Sequence, residues 1–195
     1  MTTLNLNKTA LIAIDLQAGI TQNPQLVPYS GAEVVAQTQR IAAALKNTPA
    51  LIVLVHVANT PVTALHPLTD RPKRHTTPVP NYSDLVLPTA HDATVMNQIE
   101  VLKYNPGAFY GTDLEVQLRR RQIDTLILTG LITSNGVYMT SKEAYQAGYE
   151  QLIVSDAMAD RDLELHHVFV TKMLPQLGRV RTTAEILNMI QTGEK

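Results

Sequence analysis

Short apolar runs alternate along this chain with longer segments of helical periodicity, and this alternation restricts the fold more than any other feature. Continuous runs of Val, Ile and Leu are typical of strands buried on both faces, as in a parallel sheet covered by helices. Helices are predicted between the runs, where apolar residues recur at helical spacing. Six runs are predicted to be strands: residues 9–14, 50–57, 100–103, 125–129, 151–154 and 178–181.

Residues 58–99 interrupt this alternation. They contain six of the eleven prolines of the chain, together with His66, His75 and His91. Loops of this length in a compact domain are usually lids or partner-binding arms. We therefore expect a single domain over residues 1–195, in which this irregular segment lies over the functional site or at a subunit contact.

Two helix ends carry clear signals. Thr182 and Glu185 have the spacing of a capping box, which predicts the start of the last helix. Gly148 follows the helical stretch 137–147 at the point where a left-handed residue would end a helix.

The composition excludes several kinds of function. The chain has no cysteine, so disulfides, thiolate zinc sites and a cysteine nucleophile are excluded. A formal net charge of −1 provides no long-range field that would attract nucleic acid or an anionic membrane. The N-terminus has no signal pattern, and no apolar run reaches the roughly 20 residues that would cross a bilayer. We expect a cytoplasmic protein that binds a small-molecule substrate, with neither nucleic acid nor membrane as a partner.

Polar residues that directly follow strands are the first candidates for a site, because ligands of open parallel sheets bind at the carboxyl ends of the strands. Asp15 and Gln17 follow the first strand, and Lys103 ends the third. A buried aspartate beside a lysine is either a proton donor or base, or one half of a structural ion pair. The segment 129–137 leads from the fourth strand into a helix, where its backbone amides either bind an anionic oxygen or form an ordinary turn.

Together these segments resemble the isochorismatase-like hydrolase superfamily, which includes isochorismatases, nicotinamidases and N-carbamoylsarcosine amidases. The resemblance covers nearly the whole chain and depends on the order of its motifs. In chain order the motifs are Ile14–Gln17, Lys103 with Gly107–Phe109, Thr129–Val137, Ser141–Tyr149 and Ser155–Ala159.

The resemblance implies a site of three positions, of which one has lost its usual residue. Most members carry an Asp, Lys, Cys triad, and these positions match Asp15, Lys103 and Gly136. Glycine has no side chain, so a covalent cysteine intermediate is excluded. The Asp-Trp-His metal motif of nicotinamidases is absent from Val55–Asn59, and we predict neither a metal nor a cofactor.

Isochorismatases proper also have glycine at this position, and the resemblance implies a different reaction for them. An aspartate protonates the carbon of an enol ether, water adds to the oxocarbenium ion, and the hemiketal collapses to pyruvate and a dihydrodiol. On this basis Asp15 is predicted to be the general acid, and Lys103 to set its proton affinity and to pair with a substrate carboxylate. The predicted substrate-binding side chains are Gln17, Phe109, Thr133, Asn135 and Tyr138, and the predicted oxyanion-binding amides are those of Ile132, Asn135 and Gly136.

Three functions are compatible with these residues. The first is a metal-independent hydrolase of a small carboxylated or carbonyl-bearing molecule that works by Asp and Lys acid–base chemistry. The second is an isochorismatase proper, and the third is an inactive relative that binds a ligand or takes part in an assembly.

For the structure we predict three αβα layers around a doubly wound, six-stranded parallel sheet of order 3-2-1-4-5-6. The resemblance further implies a strained peptide at Leu131–Ile132 or Ile132–Thr133, for which a cis bond is one option. It also implies a homo-oligomer, either a dimer or a larger assembly.

Overall fold

The computed structural model describes residues 4–58, 68, 70 and 80–193. It contains a six-stranded parallel sheet of order β3-β2-β1-β4-β5-β6, as predicted. The strands are β1 (Thr9–Ile14), β2 (Leu51–Val57), β3 (Gln98–Lys103), β4 (Thr125–Leu131), β5 (Glu150–Ala159) and β6 (Arg179–Arg181).

Burial explains the central position of β1. Every residue of this strand is buried, and it pairs with β2 on one side and β4 on the other. Alternate residues of a strand face opposite sides of the sheet, so a strand in this position needs apolar side chains throughout. Leu11 and Ala13 accordingly belong to one apolar cluster, and Ile12 and Ile14 to another.

Helices cover both faces of the sheet and give the predicted three layers. The helices are α1 (Ala18–Thr21), α2 (Gly31–Leu45), α3 (Leu114–Arg120), α4 (Tyr138–Gln146), α5 (Leu163–Val168) and α6 (Thr183–Thr192). Helices α2 and α6 pack on one face, where Ile41 and Ile186 join the first cluster. Helices α3 and α4 contribute Leu118 and Ala144 to the second cluster, on the other face.

The predicted helix-end signals are confirmed. Thr182 and Glu185 form a capping box at the start of α6, because each side chain bonds the backbone amide of the other residue. Gly148 follows α4 with a φ of 80°.

Strand β5 is longer than the predicted run 151–154. After a register shift between Leu128 and Gly130 of β4, pairing resumes at Gly130 with Met158. The apolar run stops at Val154 because the polar pair Ser155-Asp156 occupies the irregular part of the strand. Hydropathy alone therefore does not reveal the second half of β5.

The segment 58–99 is described only in part. It includes a single turn of 3-10 helix at Pro88–His91, and its last residues open β3 at Gln98. Leu85 forms an isolated bridge with Gln17, which brings this segment to the end of β1. His66 and His75 lie outside the described residues. Within the described part of the chain, no helix is long and apolar enough to cross a membrane.

Candidate active site

Asp15 lies directly after β1 in an unusual backbone conformation. Its φ of 55° is in the left-handed region. Aspartate enters this region more readily than most residues with a side chain. The amide of Asp15 donates to the carbonyl of Val55 at 2.8 Å, so the residue stays attached to the sheet. The residue is 6% exposed.

Lys103 reaches Asp15 from two strands away. It is the last residue of β3, and β2 lies between β3 and β1. Its Nζ lies 2.9 Å from Oδ2 of Asp15 and donates to the carbonyl of Pro106 at 2.5 Å. With the lysine only 1% exposed, the two groups form a buried ion pair across the carboxyl end of β2.

Burial has the largest effect on the pKa of Asp15. Desolvation raises the pKa of the Asp15 carboxyl from its ordinary 3.8 to about 6, although the charge and hydrogen bond of Lys103 lower it. His56 makes a smaller lowering contribution. Oδ2 is held by Lys103, whereas Oδ1 is buried without a hydrogen-bond partner among the described residues. Oδ1 is therefore the oxygen that is free to hold or accept a proton.

Gly136 lies against the same carboxylate. A Cβ built on Gly136 would be 3.0 Å from Oδ2 of Asp15 and 2.8 Å from the carbonyl oxygen of Leu131. Both distances are shorter than ordinary van der Waals contact. The structure therefore brings together all three positions predicted for the site, Asp15, Lys103 and Gly136, at one edge of the sheet.

The turn that carries Gly136 begins with a cis peptide between Leu131 and Ile132, which confirms one of the two predicted positions. A π-helical turn, Thr133–Val137, follows and runs directly into α4. π-helical turns are rare and are frequent at functional sites.

Two amides of this turn are already used inside the protein. The amide of Asn135 donates to the carbonyl of Ile132 at 3.0 Å. The amide of Ser134 donates to the buried carboxylate of Asp160 at 2.7 Å. The Asn135 amide was predicted to bind an oxyanion, and it would have to give up its bond within the turn to do so.

The side chain of Gln17 is used entirely by the backbone. Its Nε2 donates to the carbonyls of Val57 and Tyr82, and its Oε1 accepts from the amide of Val57 at 2.7 Å. These bonds join the end of β1 to the end of β2 and to the loop before β3. In this structure Gln17 holds the rim of the site together, and its predicted contact with substrate stays a prediction.

The other predicted substrate-binding residues differ in their surroundings. Thr133 is fully buried, and its hydroxyl is 2.9 Å from Nδ1 of His166. Phe109 and Tyr138 are half-buried, and Tyr138 packs edge-on against Phe169 at 4.7 Å between ring centroids. Asn135 is exposed.

Sequence reasoning missed three groups: Tyr82 and His56, which interact electrostatically with Asp15, and Arg161, which acts on Tyr82. Burial and the charge of Asp15 raise the pKa of Tyr82, and the charge of Arg161 opposes that rise. His56 also acts on Asp15 and bonds the carbonyl of Ser83 through Nδ1 at 2.9 Å. Tyr82 and Arg161 do not follow an apolar run directly, so the rule that identified Asp15 and Lys103 could not select them. His56 lies inside such a run, within β2, so the rule that selects residues directly after a strand passed over it.

Groups of metal ligands and clefts away from Asp15 are the other places where a ligand could bind. Over the ranges that the structure describes, no three His, Asp or Glu side chains are grouped closely enough to hold a metal ion. Two open clefts of about 370 and 420 Å³ lie at the amino ends of the strands, at the edge of the sheet opposite Asp15.

Comparison with known proteins places this chain in a family. Residues 9–185 match the isochorismatase domain, and the chain therefore belongs to the isochorismatase family. Two relatives of similar length are the uncharacterized isochorismatase family proteins YwoC of Bacillus subtilis (strain 168) and YecD of Escherichia coli O157:H7. YwoC is 36% identical over 196 residues, which cover 98% of this chain and all of YwoC. YecD is 36% identical over 197 residues, which cover 97% of this chain and all of YecD.

The structural comparison agrees with the sequence comparison. An isochorismatase family protein from Burkholderia thailandensis superposes with a TM-score of 0.88 at 38% identity, over 97% of this chain and 98% of that protein.

Proposed function

We propose that this chain is a hydrolase in which Asp15 gives a proton to a small carboxylated or carbonyl-bearing substrate and water completes the reaction. The observation that carries the proposal is the buried carboxyl of Asp15, whose pKa is raised to about 6. With this pKa, roughly a tenth of the protein molecules carry a protonated Asp15 at pH 7, whereas an ordinary aspartate would be almost entirely ionised. An acid with a pKa near the working pH is an efficient proton donor.

The geometry of the ion pair supports this role. Lys103 holds one carboxylate oxygen of Asp15, and the other has no hydrogen-bond partner among the described residues. A proton on Oδ1 can therefore be transferred without breaking the ion pair. After transfer, the new negative charge of the carboxylate is stabilised by the ammonium group at 2.9 Å.

The absence of a nucleophile at position 136 supports hydrolysis by water. The sequence has no cysteine, and a Cβ at Gly136 would already crowd Asp15. In the proposed reaction water is therefore the nucleophile, and protonation by Asp15 makes the substrate reactive towards it.

A vinyl ether is the second, more specific candidate substrate, as in isochorismatase proper. It is favoured by a carboxyl whose pKa is raised towards neutral pH, because the difficult step of vinyl ether hydrolysis is protonation of carbon. The proton would pass from Asp15 to the terminal carbon, water would add to the oxocarbenium ion, and the hemiketal would release pyruvate and an alcohol. In D₂O, one solvent deuterium should appear in the methyl group of the pyruvate, as measured by mass spectrometry.

The proposed function is tested with Asp15→Asn. Asparagine preserves the shape of the side chain and tolerates the left-handed backbone, but it has no acidic proton. With a pool of vinyl ethers, esters and amides, we expect the wild-type protein to turn over at least one compound and the variant to lose about 10²- to 10⁴-fold in kcat. Equal turnover by the two proteins would refute the proton-donor role. Binding of a compound from the pool with no turnover of any would favour the inactive, ligand-binding relative.

A further inference from the structure

Side chains of helix α4 hold the loop that follows Lys103 by hydrogen bonds to its backbone amides. The amide of Ala108 donates to the hydroxyl of Thr140 at 3.2 Å, and the amide of Phe109 donates to Oε2 of Glu143 at 3.0 Å. Gly107 lies so close to the same carboxylate that a Cβ at this position would overlap it. Residues 106–109 are called the lysine loop below.

The lysine loop in turn holds the ammonium group of the site. The carbonyl of Pro106 accepts a hydrogen bond from Nζ of Lys103, which also contacts Asp15. The position of the ammonium group relative to the carboxylate therefore depends on the position of this loop. Helix α4 therefore holds residues 108 and 109 of the loop, and the backbone of the loop connects them to the Pro106 carbonyl that holds Lys103.

Thr140 also joins the lysine loop to the turn that carries Gly136. Its hydroxyl donates to the carbonyl of Gly136 at 2.7 Å, while it accepts from Ala108 on the loop. The first bond is the common one from a helical threonine to the carbonyl four residues earlier. The second connects residues that are 32 positions apart in the chain, and Thr140 is fully buried. One hydroxyl therefore links both sides of the site.

We propose that Thr140 and Glu143 are positioning residues, which act through the lysine loop to hold Lys103 against Asp15. The consequence for the reaction rests on the proposed function of Asp15, but the positioning itself can be measured without any substrate.

The readout follows from the electrostatics of the pair. Lys103 lowers the pKa of Asp15, in opposition to the effect of burial. If the lysine loop is released and the ammonium group moves away, this lowering weakens and the pKa of Asp15 must rise. General loss of stability would leave the pair in place and would not produce this change.

The experiment compares four variants of the full chain. Thr140→Val keeps the shape of the side chain and removes both hydrogen bonds, whereas Thr140→Ser retains the hydroxyl. Glu143→Ala removes the second contact with the loop. Ser141→Ala is the matched control, because Ser141 is buried on the same helix and donates to Gln151 at 2.6 Å rather than to the site.

The titration of Asp15 is followed by NMR of ¹³C-labelled aspartate carboxyls, with Asp15→Asn to identify the signal. We expect Thr140→Val and Glu143→Ala each to raise the midpoint by about half a pH unit or more, a change that needs only a modest displacement of the ammonium group. Thr140→Ser and Ser141→Ala should titrate within about 0.2 of the wild type, since both retain every contact of the lysine loop.

The proposal would be overturned if Glu143→Ala and Thr140→Val left the midpoint of Asp15 unchanged. If Thr140→Val does not fold, Glu143→Ala decides the matter, because Glu143 is only half-buried. A raised midpoint together with normal turnover by Asp15→Asn would support the positioning role and refute Asp15 as the proton donor. The two proposals can therefore fail separately.

Discussion

At the scale of single residues, the balance of forces on Asp15 is the central feature. An ammonium group at 2.9 Å would normally hold a carboxylate in its ionised form. Here desolvation is the larger effect, and it raises the pKa to about 6. A buried ion pair is weak evidence for stability, so this pair need not contribute to folding, and a role in proton transfer belongs to the proposed function.

The pH dependence of the reaction tests the direction of proton transfer. If Asp15 is the general acid, kcat/KM for a confirmed substrate should fall about tenfold per pH unit above about 6, because the protonated fraction falls in that way. A rate that instead rises through the same pH range would identify Asp15 as a base. The residual kcat/KM of Asp15→Asn should not show this decline above about pH 6.

The close contacts of Gly136 predict that a larger residue destabilises the protein. Gly136→Ala would place a methyl group 2.8 Å from the carbonyl oxygen of Leu131. This overpacking should lower the free energy of unfolding by about 1–3 kcal/mol, measured by urea denaturation. Asn135 is on the exposed side of the same turn. Asn135→Ala should therefore change the free energy of unfolding by at most about 0.5 kcal/mol. Equal or greater stability of Gly136→Ala would contradict the crowded geometry.

At the scale of elements, the start of α6 is held from two directions. Thr182 caps the helix through the amide of Glu185, and Asp156 of β5 accepts from both the amide and the hydroxyl of Thr183. The place of Asp156 after the fifth apolar run predicts a cap or turn former. It does cap a helix, but from within β5 and 27 residues away, which its local sequence could not indicate.

Loss of the Thr182 cap should destabilise the folded protein moderately. Thr182→Ala is expected to lower the free energy of unfolding by about 1 kcal/mol, since the amide of Glu185 loses its partner. Thermal and urea denaturation would measure this change. The exposed Thr192, at the other end of α6, is the matched control, and Thr192→Ala should have less than half that effect. A cost near zero for Thr182→Ala would mean that Asp156 alone is sufficient to hold the helix start.

At the scale of the whole molecule, Asp15 makes stability depend on pH. Its folded pKa, about 6, is above the unfolded value of 3.8, so the folded protein binds this proton more tightly. The associated stability is fully present below pH 3.8 and is lost as the pH rises through about 6. The difference in pKa corresponds to about 3 kcal/mol.

This expectation is checked by measuring the free energy of unfolding of the wild type and Asp15→Asn from pH 4 to pH 7.5. The difference between the two proteins removes the contributions of the other titrating groups. Relative to the variant, the wild type should lose stability as the pH rises. A gain would mean that Lys103 outweighs burial and that the folded pKa lies below 3.8.

The overall architecture was predictable because it depends on hydrophobic pattern. The continuous apolar run of β1 specifies a central buried strand, and the strand-end rule selected Asp15 and Lys103, whose side chains meet at 2.9 Å in the structure. The family resemblance supplied Gly136 and the cis peptide before Ile132. These features are local in sequence or belong to motifs that the resemblance identifies.

The details of the site were not predictable because they depend on contacts between distant segments. The three backbone bonds of Gln17 and the charge of Asp15 near Tyr82 both need the loop before β3 to be in place. The hydrogen bond between Ser134 and Asp160 joins residues 26 positions apart. No local pattern encodes such pairs.

The left-handed backbone at Asp15 limits how its side chain can be interrogated by mutagenesis. Residues other than glycine, asparagine and aspartate lose roughly 1–2 kcal/mol in that conformation. An inactive alanine or glutamate substitution at this position would therefore combine a missing functional group with a distorted chain. Only an amide replacement reports on the acid alone, so an alanine variant of Asp15 would overstate whatever share of the activity belongs to the carboxyl.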